Sequence, residues 1–349
     1  MFEMSEVWVV TGASGFLGYH VCKFLVEKGV ECRGIDINPF EFKTLKGLVD
    51  FHRVDIRDRK KVEEVIKGAD VVMHGAAALP RWPKEKIWDV NVNGTRSMLE
   101  ASASSGVKAF VHISTTAVYG IPKVHPIVED YPLKGVGPYG ESKVAAEKLC
   151  ESYRDRLNVG IIRPKTFVGT VRLGIFSILF DWVYRGKNIP IIGQGNNRYQ
   201  LLEVDDLVDA IWKLAHAPEK KMNDVYNVGA TDFGTIRTHV QTLLDYRGKG
   251  KIVPLPAAPV KFTLRVLDRL GLSPLYEWAY ETIDKDHYVS VEKIIRELGW
   301  KPKKSSEQAL LDSYKWYEKH RKEVENKEGV THTVQWKQGI LGFFRDLFF

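Results

Sequence analysis

Short apolar runs alternate with amphipathic stretches along the first half of the chain. The apolar runs predict strands at 7–10, 31–37, 49–54, 70–74, 109–113 and 159–163. The stretches between them carry apolar residues at helical spacing and predict helices at 19–28, 59–67, 87–106 and 139–156. Strands that alternate with helices at this spacing predict a parallel sheet covered by helices on both faces.

The alternation loosens after Pro164. Helices are expected at 173–184, 204–216, 290–300 and 306–320, and a short strand at 225–228 is expected to return to the main sheet. We therefore predict a first domain at 1–165, with its sheet completed from 200–230. Residues 166–330 are expected to form mainly a smaller lobe that binds the substrate and is not contiguous in sequence.

The last segment, 331–349, is an apolar amphipathic tail. Trp336, Ile340, Phe344 and Phe348 fall at helical spacing within it. The segment is too short to span a bilayer. Two interpretations stay open: an anchor at 335–349 that lies in a membrane surface, or a helix that docks on this chain or on a second subunit.

Composition and charge exclude several classes of protein. The 349 residues are 44% hydrophobic and carry a net charge of +7, which is typical of a soluble globular protein with an anionic ligand or a membrane-surface contact. The lysines are dispersed and form no nucleic-acid module. Cys22, Cys32 and Cys150 lack metal-ligand spacing, so we expect reduced thiols, no metal site and a cytoplasmic location. The first strand begins too early for a signal peptide, and no apolar run is long enough to span a membrane.

A glycine-rich turn, TGASGFLG at 11–18, joins the first strand to the first helix. Gly12 allows a tight turn, Gly15 lets the backbone approach a pyrophosphate, and Gly18 lets the helix pack close to the strand. The free N–H groups and the dipole at the helix start favour an anion. This pattern predicts a dinucleotide-binding turn.

An acidic residue and two small residues extend this prediction. Asp36 ends the second strand, at the distance from the glycines where a carboxylate accepts hydrogen bonds from the adenosine ribose. An aspartate there also repels a 2′-phosphate and favours NAD over NADP, although a solvated turn aspartate is the simpler alternative. Ala76 and Ala77 follow the fourth strand and allow the backbone to lie against the cofactor.

Tyr139 and Lys143 lie four residues apart on a predicted helix and therefore share one face. A tyrosine is a poor base at pH 7, but a neighbouring ammonium and an oxidised nicotinamide would lower its pKa. A hydroxyl at the end of the fifth strand, in Ser114-Thr115-Thr116, can hydrogen-bond the reacting oxygen. Together these groups predict proton removal from a secondary alcohol while a hydride passes to the cofactor.

The chain resembles the extended short-chain dehydrogenase/reductases, specifically the NAD-dependent epimerase/dehydratase group, over roughly residues 6 to 320. The matching segments are TGASGFLG at 11–18, HGAA at 74–77, NVNGT at 91–95, HISTTAVYG at 112–120, YGESK at 139–143, EVDDLVDAI at 203–211 and ELGWKP at 297–302. The resemblance implies an α/β fold, a Rossmann-type doubly wound parallel sheet with a smaller, non-contiguous C-terminal substrate lobe. It also implies a homodimer and a small-molecule substrate, often a nucleotide sugar.

The resemblance assigns roles to individual residues. It makes Tyr139 the acid/base, Lys143 the group that lowers its pKa and binds ribose, and Thr115, rather than Ser114 or Thr116, the catalytic hydroxyl. The implied cofactor-binding residues are Gly12, Gly15, Phe16, Leu17, Gly18, Asp36, Asp55, Ile56, Ala76, Ala77, Asn91, Tyr139, Lys143 and Pro164.

Departures from the family pattern concern the substrate. The family's 4,6-dehydratases carry Asp-Glu after the catalytic threonine, where this chain has Thr116-Ala117, which argues against a dehydratase. Thr166 replaces an asparagine common in nucleotide-sugar members, and Arg198 lies one residue before the usual diphosphate-binding arginine. Thr166, Arg172 and Arg198 are the predicted substrate-binding residues.

Three functions stay open at this point. The first is a nucleotide-sugar epimerase or a related sugar oxidoreductase, which the site explains without further groups. The second is an NAD(P)-dependent dehydrogenase of a 3β-hydroxysteroid-like or other lipid alcohol, suggested by the altered phosphate positions and the apolar tail. The third is a non-catalytic NAD-binding scaffold that has retained the fold.

Overall fold

The computed structural model describes residues 6–80, 82–171, 173–174, 176–269 and 277–325. Two predictions fall outside these residues, namely the substrate contact of Arg172 and the amphipathic tail at 331–349.

A seven-stranded parallel sheet forms the centre of the molecule. Eleven strands occur within the described residues: β1 (Val7–Thr11), β2 (Glu31–Asp36), β3 (Asp50–Arg53), β4 (Val71–His74), β5 (Ala109–Ile113), β6 (Val159–Pro164), β7 (Phe167–Val168), β8 (Ile189–Ile192), β9 (Leu202–Glu203), β10 (Val225–Val228) and β11 (Ile252–Leu255). The order in the large sheet is β10-β6-β5-β4-β1-β2-β3, and every neighbouring pair is parallel. The predicted fold is confirmed, including the return of 225–228 to the sheet edge beside β6.

Thirteen α-helices surround this sheet and build the second lobe, counted over the described residues. They are α1 (Phe16–Glu27), α2 (Arg59–Ile66), α3 (Lys84–Trp88), α4 (Thr95–Ser104), α5 (Gly137–Glu151), α6 (Phe176–Tyr184), α7 (Val204–Ala215), α8 (Glu219–Met222), α9 (Ile236–Arg247), α10 (Ala257–Arg269), α11 (Glu277–Thr282), α12 (Glu292–Leu298) and α13 (Ser306–Glu325). Gly299 ends α12 in the left-handed conformation.

The side chains of β1 show why the sheet is covered twice. Trp8 and Val10 pack into one apolar layer and Val9 into the other, because successive side chains of a strand point to opposite faces. The first layer is completed by α1 and α7, and the second by α2, α4 and α5. The central strands are therefore buried on both faces, as in other parallel sheets.

The second lobe has its own apolar core. Aromatic and aliphatic residues of α6, α9 and α13 pack together there, with Phe180, Leu243 and Tyr314 fully or almost fully buried. Two short parallel pairs, β7 with β9 and β8 with β11, bring chain segments of this lobe together. The lobe begins directly after β6, at the carboxyl edge of the sheet.

The predicted helix at 87–106 is interrupted. Between α3 and α4 the chain makes a wider π-helical turn at Asp89–Gly94. Gly94 packs so closely on Ile56 that an added Cβ would lie 2.6 Å from the Ile56 side chain. The Thr95 hydroxyl donates to the Asn91 carbonyl inside this turn. Such turns are frequent at functional sites, and this one carries Asn91.

Candidate active site

The glycine turn between β1 and α1 is built as predicted. Gly12 has φ +73°, and its N–H donates to the Ile35 carbonyl at 2.9 Å. A Cβ on Gly18 would lie 2.1 Å from the Gly12 carbonyl oxygen, so only glycine allows α1 to begin this close to β1. The Gly15 N–H donates to the Gly12 carbonyl at 2.8 Å, so the N–H groups of Phe16 and Leu17, in the first turn of α1, are the ones left for an anion.

Asp36 lies beside this turn, at the end of β2. One of its carboxylate oxygens accepts the Ser14 N–H at 3.0 Å, and the other accepts the Asn38 N–H at 2.8 Å. The Ser14 hydroxyl donates to the Asn38 carbonyl at 3.1 Å, which closes the loop. Asn38 was not identified from the sequence, although an asparagine two residues after the acidic strand end is a typical turn signal.

A buried hydrogen-bond network fixes the loop after β4 against the glycine turn. The Thr11 hydroxyl accepts the N–H groups of Gly75 and Ala76 at 3.2 and 3.1 Å. His74 contacts Thr11 through Nδ1 (2.9 Å) and Thr95 through Nε2 (3.0 Å), and burial lowers its pKa to about 3. A neutral imidazole with its proton on Nε2 satisfies both contacts. Ala76 therefore lies against the glycine turn, and a Cβ on Gly12 would be only 3.1 Å from its backbone nitrogen, whereas the next residue, Ala77, is exposed.

Asp55 and Ile56 follow β3, next to the end of β2. Arg57 holds the Asp55 carboxylate at 2.6 Å, and this pairing lowers the pKa of Asp55. Arg57 also pairs with Asp89, so the β3 loop is tied to the π-helical turn. Ile56 is buried beneath that turn.

Asn91 connects the loop after β4 to α5, the helix that carries Tyr139 and Lys143. It is buried, its side-chain oxygen accepts the Ala78 N–H at 2.7 Å, and its Nδ2 donates to the Ser142 hydroxyl at 3.0 Å. Ser142 in turn donates to the Tyr139 carbonyl at 2.8 Å. The sequence analysis did not identify Ser142, because nothing local marks the partner of a residue 51 positions away.

Tyr139 and Lys143 lie in the first two turns of α5, which has a proline in its first turn. The Lys143 side chain is buried, and its Nζ donates to the Ile113 carbonyl at 2.7 Å and lies 3.2 Å from His112 Nε2. Burial lowers the pKa of Lys143 to about 8 and raises that of Tyr139 to about 12. Any lowering of the Tyr139 pKa must therefore come from a positive charge brought to its hydroxyl.

The three hydroxyls after β5 have different surroundings. Ser114 is buried and donates to the carboxylate of Glu147, and Thr116 is buried as well. Thr115 is half-buried, and its Oγ1 accepts the Ala117 N–H at 3.2 Å at the start of a 3₁₀ turn, Thr116–Tyr119. Of the three, Thr115 is the hydroxyl that a substrate can reach.

A buried ion pair that the sequence analysis did not identify lies behind these hydroxyls. Arg163 Nη2 lies 2.6 Å from the Glu147 carboxylate, with both side chains almost fully buried. Arg163 also donates to the Tyr119 hydroxyl at 2.9 Å. The pair joins β6 to α5 and therefore holds the catalytic helix against the sheet. Pro164, the last residue of β6, is buried next to it.

Two of the three predicted substrate residues, Thr166 and Arg198, lie within the described part of the second lobe. Thr166 shares a hydrogen bond with the Tyr199 hydroxyl at 3.1 Å. Arg198 is exposed, and its guanidinium lies 4.6 Å from the ring centroids of Phe233 and Tyr288. These contacts place two of the three predicted residues on the lobe that follows β6.

Across the described residues, no group of three or more His, Cys, Asp or Glu side chains is arranged to hold a metal ion. The same part of the chain contains no helix that is long and apolar enough to cross a membrane. The glycine cradle, the helix start and the Asp36 carboxylate match the pyrophosphate and the adenosine ribose of NAD. The residues present therefore fit this cofactor.

Comparison with known proteins identifies the same fold and chemistry. The model of the "NAD dependent epimerase/dehydratase family" matches residues 8–229. An uncharacterized protein, y4nG of Sinorhizobium fredii, is 35% identical over 95% of this chain and 84% of its own length. A UDP-glucose 4-epimerase of Lactobacillus helveticus is 29% identical over 91% of this chain and 99% of its own. The structure is similar to a UDP-glucose 4-epimerase of Thermotoga maritima solved with UDP-glucose (TM-score 0.75, 24% identity, 90% of this chain and 99% of that one).

Proposed function

Since the chain belongs to the NAD-dependent epimerase/dehydratase family of extended short-chain dehydrogenase/reductases, we propose that it is a nucleotide-sugar epimerase. The observation that supports the proposal is that Lys143, one helical turn after Tyr139 on α5, donates to the Ile113 carbonyl, two residues before Thr115, and that no carboxylate directly follows Thr115. Ala117 and the buried Thr116 stand where elimination of water would need an acid and a base, which disfavours a dehydratase.

In an epimerisation, each of the three candidate catalytic residues would have its own role. Bound NAD supplies the hydride acceptor. Tyr139 takes the proton of the sugar hydroxyl and later returns it, and Thr115 holds the reacting oxygen by a hydrogen bond. Lys143 supplies a positive charge that stabilises the phenolate. Epimerisation then requires only that the keto sugar presents its other face before the hydride returns.

A dehydrogenase of a sterol-like alcohol is the main alternative, and the second lobe argues against it. The residues directly after β6 include Lys165, which is 1% exposed, and the half-buried Thr166. A buried amine directly after β6 suits a polar substrate and opposes a steroid ring, because a polar group without a partner in an apolar pocket is costly.

The test is incubation of the NAD-loaded protein with UDP-, GDP- and dTDP-sugars, with Tyr139→Phe as the inactive control. We expect conversion between two sugar epimers without net formation of NADH. Net NADH formation from a sterol or isoprenoid alcohol, with every sugar unchanged, would refute the proposal.

We also propose that the protein is a cytoplasmic homodimer and that residues 335–349 either bind a membrane surface or dock as a helix on this chain or on the second subunit. Liposome pelleting of the full chain and of a chain ending at Gly329 tests the membrane contact, and light scattering tests the dimer. If both chains stay in the supernatant, the membrane contact is excluded.

A further inference from the structure

We propose that Lys165, held in place by His287, forms a subsite for an acidic group on the sugar, so that the substrate is a nucleotide sugar bearing a carboxylate. This inference rests on the proposed function and specifies its substrate class. It is carried by a buried cation without a counter-ion, at the edge of the sheet where the sugar has to lie.

Lys165 directly follows Pro164 at the carboxyl end of β6. Its backbone N–H continues the sheet by donating to the Val228 carbonyl at 2.8 Å. The neighbouring strand β5 ends at the same edge, where the Ser114 N–H donates to the Ile162 carbonyl at 2.7 Å. Lys165 and the catalytic Thr115 therefore leave adjacent strands on the same side of the sheet, where parallel α/β sheets bind their ligands.

Burial lowers the pKa of Lys165 well below its ordinary value, because no charge in the described part of the chain compensates its ammonium. An acidic ligand beside the amine would favour its charged form. The Lys165 side chain is 1% exposed, its Nζ is hydrogen-bonded to His287 Nδ1, and the ring centroid of Tyr199 lies 4.8 Å away. No carboxylate in the described parts of the chain lies within ion-pair distance of this Nζ. Two residues earlier, Arg163 is equally buried but is paired with Glu147 at 2.6 Å. A buried cation is normally paired or bound to a ligand.

Two buried histidine nitrogens without a partner lie near Lys165. His287 accepts from Lys165 through Nδ1, which leaves its proton on Nε2, and this buried Nε2 has no partner among the described residues. The buried Nε2 of His125 is likewise without a partner there, and the two imidazole centroids lie 6.4 Å apart. Asp286, Tyr199 and Tyr288 are further titratable groups at this cluster. An oxyanion would give Lys165 the counter-charge that it lacks, while the Nε2 of His287, on the far side of its ring from Lys165, is left for another polar group of the ligand.

The cluster is attached to the catalytic loop. Trp278 donates its indole N–H to the Gly120 carbonyl at 3.0 Å, and Gly120 directly follows the turn that begins at Thr115. The ring of Trp278 also packs edge-on against His287, with centroids 5.1 Å apart. Thr166, Tyr199 and His125 are only half-buried and form the edge from which a ligand reaches the ammonium.

Arg198, rather than Lys165, is the cation available to the diphosphate of the substrate. Arg198 is exposed, its guanidinium rests on two aromatic rings, and it pairs with no carboxylate of the described residues. An exposed, unpaired arginine suits a diphosphate at the entrance. Lys165 is buried directly beyond the last strand residue, which places it with the sugar.

The experiment compares three ligands on the full chain loaded with NAD: UDP, UDP-glucose and UDP-glucuronic acid, with GDP, GDP-mannose and GDP-mannuronic acid in parallel. Dissociation constants are measured by calorimetry for the wild type, Lys165→Met and Arg198→Met. We expect the wild type to bind the acidic sugar at least about tenfold more tightly than the neutral one. Lys165→Met should weaken binding of the acidic-sugar ligand by about 10- to 100-fold and leave the affinities for the neutral sugar and the nucleotide unchanged.

The Arg198→Met variant serves as the matched control. It should weaken the nucleotide, the neutral sugar and the acidic sugar by the same factor, because it removes a diphosphate contact. Unchanged NAD affinity and an unchanged unfolding midpoint show that Lys165→Met is folded, and His287→Gln should give a smaller loss with the same selectivity. If Lys165→Met weakens UDP as much as the acidic sugar, or if the wild type does not prefer the acidic sugar, the subsite is refuted. Failure of every nucleotide ligand to bind would instead refute the proposed function.

Discussion

Replacing Lys143 by methionine is expected to abolish turnover and, at the same time, to stabilise the folded chain near pH 7. Lys143 is 3% exposed, and its Nζ has a carbonyl and an imidazole as partners. Burial lowers its pKa from 10.5 to about 8. At 1.36 kcal/mol per pH unit, keeping this ammonium charged in the folded chain costs about 3 kcal/mol.

Methionine fills similar space without this cost. The variant also loses the hydrogen bond to the Ile113 carbonyl, and this loss cancels about 1 kcal/mol of the stability gained by removing the buried charge. We therefore expect Lys143→Met to raise the free energy of unfolding by about 2 kcal/mol at pH 7. The measurement is urea unfolding of the NAD-free protein, and exposed Lys46→Met is a control expected to change stability by less than about 0.5 kcal/mol.

The pH dependence of this difference is the sharper test. Because the pKa of Lys143 is lower in the folded chain than in the unfolded one, the cost is complete below pH 8 and disappears as the pH rises towards 10.5. The advantage of Lys143→Met should therefore shrink by about 1.4 kcal/mol per pH unit above pH 8 and vanish near about pH 9.5. A variant that is less stable than the wild type at pH 7, or a difference that does not change with pH, would refute the reasoning.

Three further predictions concern the hydroxyl, the ion pair and the turn. Tyr139→Phe should remove turnover by at least about a hundredfold and leave NAD affinity within a factor of about two, since only the acid/base proton is lost; full activity in a product assay would remove Tyr139 from this role. Glu147→Gln should lower the free energy of unfolding by about 3 kcal/mol because Arg163 is then buried without a counter-ion, and an unchanged urea midpoint would contradict this. Gly18→Ala should weaken NAD binding by at least about tenfold, because its Cβ would lie 2.1 Å from the Gly12 carbonyl oxygen. A Cβ on Gly106 would meet no atom within 4 Å, so Gly106→Ala should leave NAD affinity unchanged. Equal NAD affinities in the two variants would contradict the steric argument.

The strands and helices of the sheet could be predicted because they depend on local, repeated signals. Apolar runs of strand length, glycines at 12, 15 and 18, and helical periodicity between the runs are all legible within a few residues. The π-helical turn at Asp89–Gly94 was missed for the opposite reason. It depends on packing of Gly94 against Ile56, 38 positions earlier, and no local periodicity reports such a contact.

The same distinction applies to the site. The spacing of Tyr139 and Lys143 predicts that they share one face of a helix, and both lie in the first two turns of α5. Their supporting partners come from other elements: His112 from β5, and Asn91, through Ser142, from the π-helical turn. Histidine, asparagine and serine are common residue types, so nothing in the sequence marks these three as partners of Tyr139 and Lys143. Their roles as partners can be recognised only once the fold shows which residues they contact.

The arrangement of buried charges connects the catalytic residues to the substrate. Three cationic side chains lie buried near the ends of β5 and β6, and one of them, Arg163, is fully compensated by Glu147. Lys143 and Lys165 form no ion pair with any carboxylate among the described residues, although each costs the fold stability while it is charged. Because Arg163 has a carboxylate partner and Lys143 and Lys165 have none among the described residues, we infer that bound ligands supply the partners of the two lysines. We therefore expect the cofactor and the reacting oxygen to meet Lys143, and the acidic group of the sugar to meet Lys165.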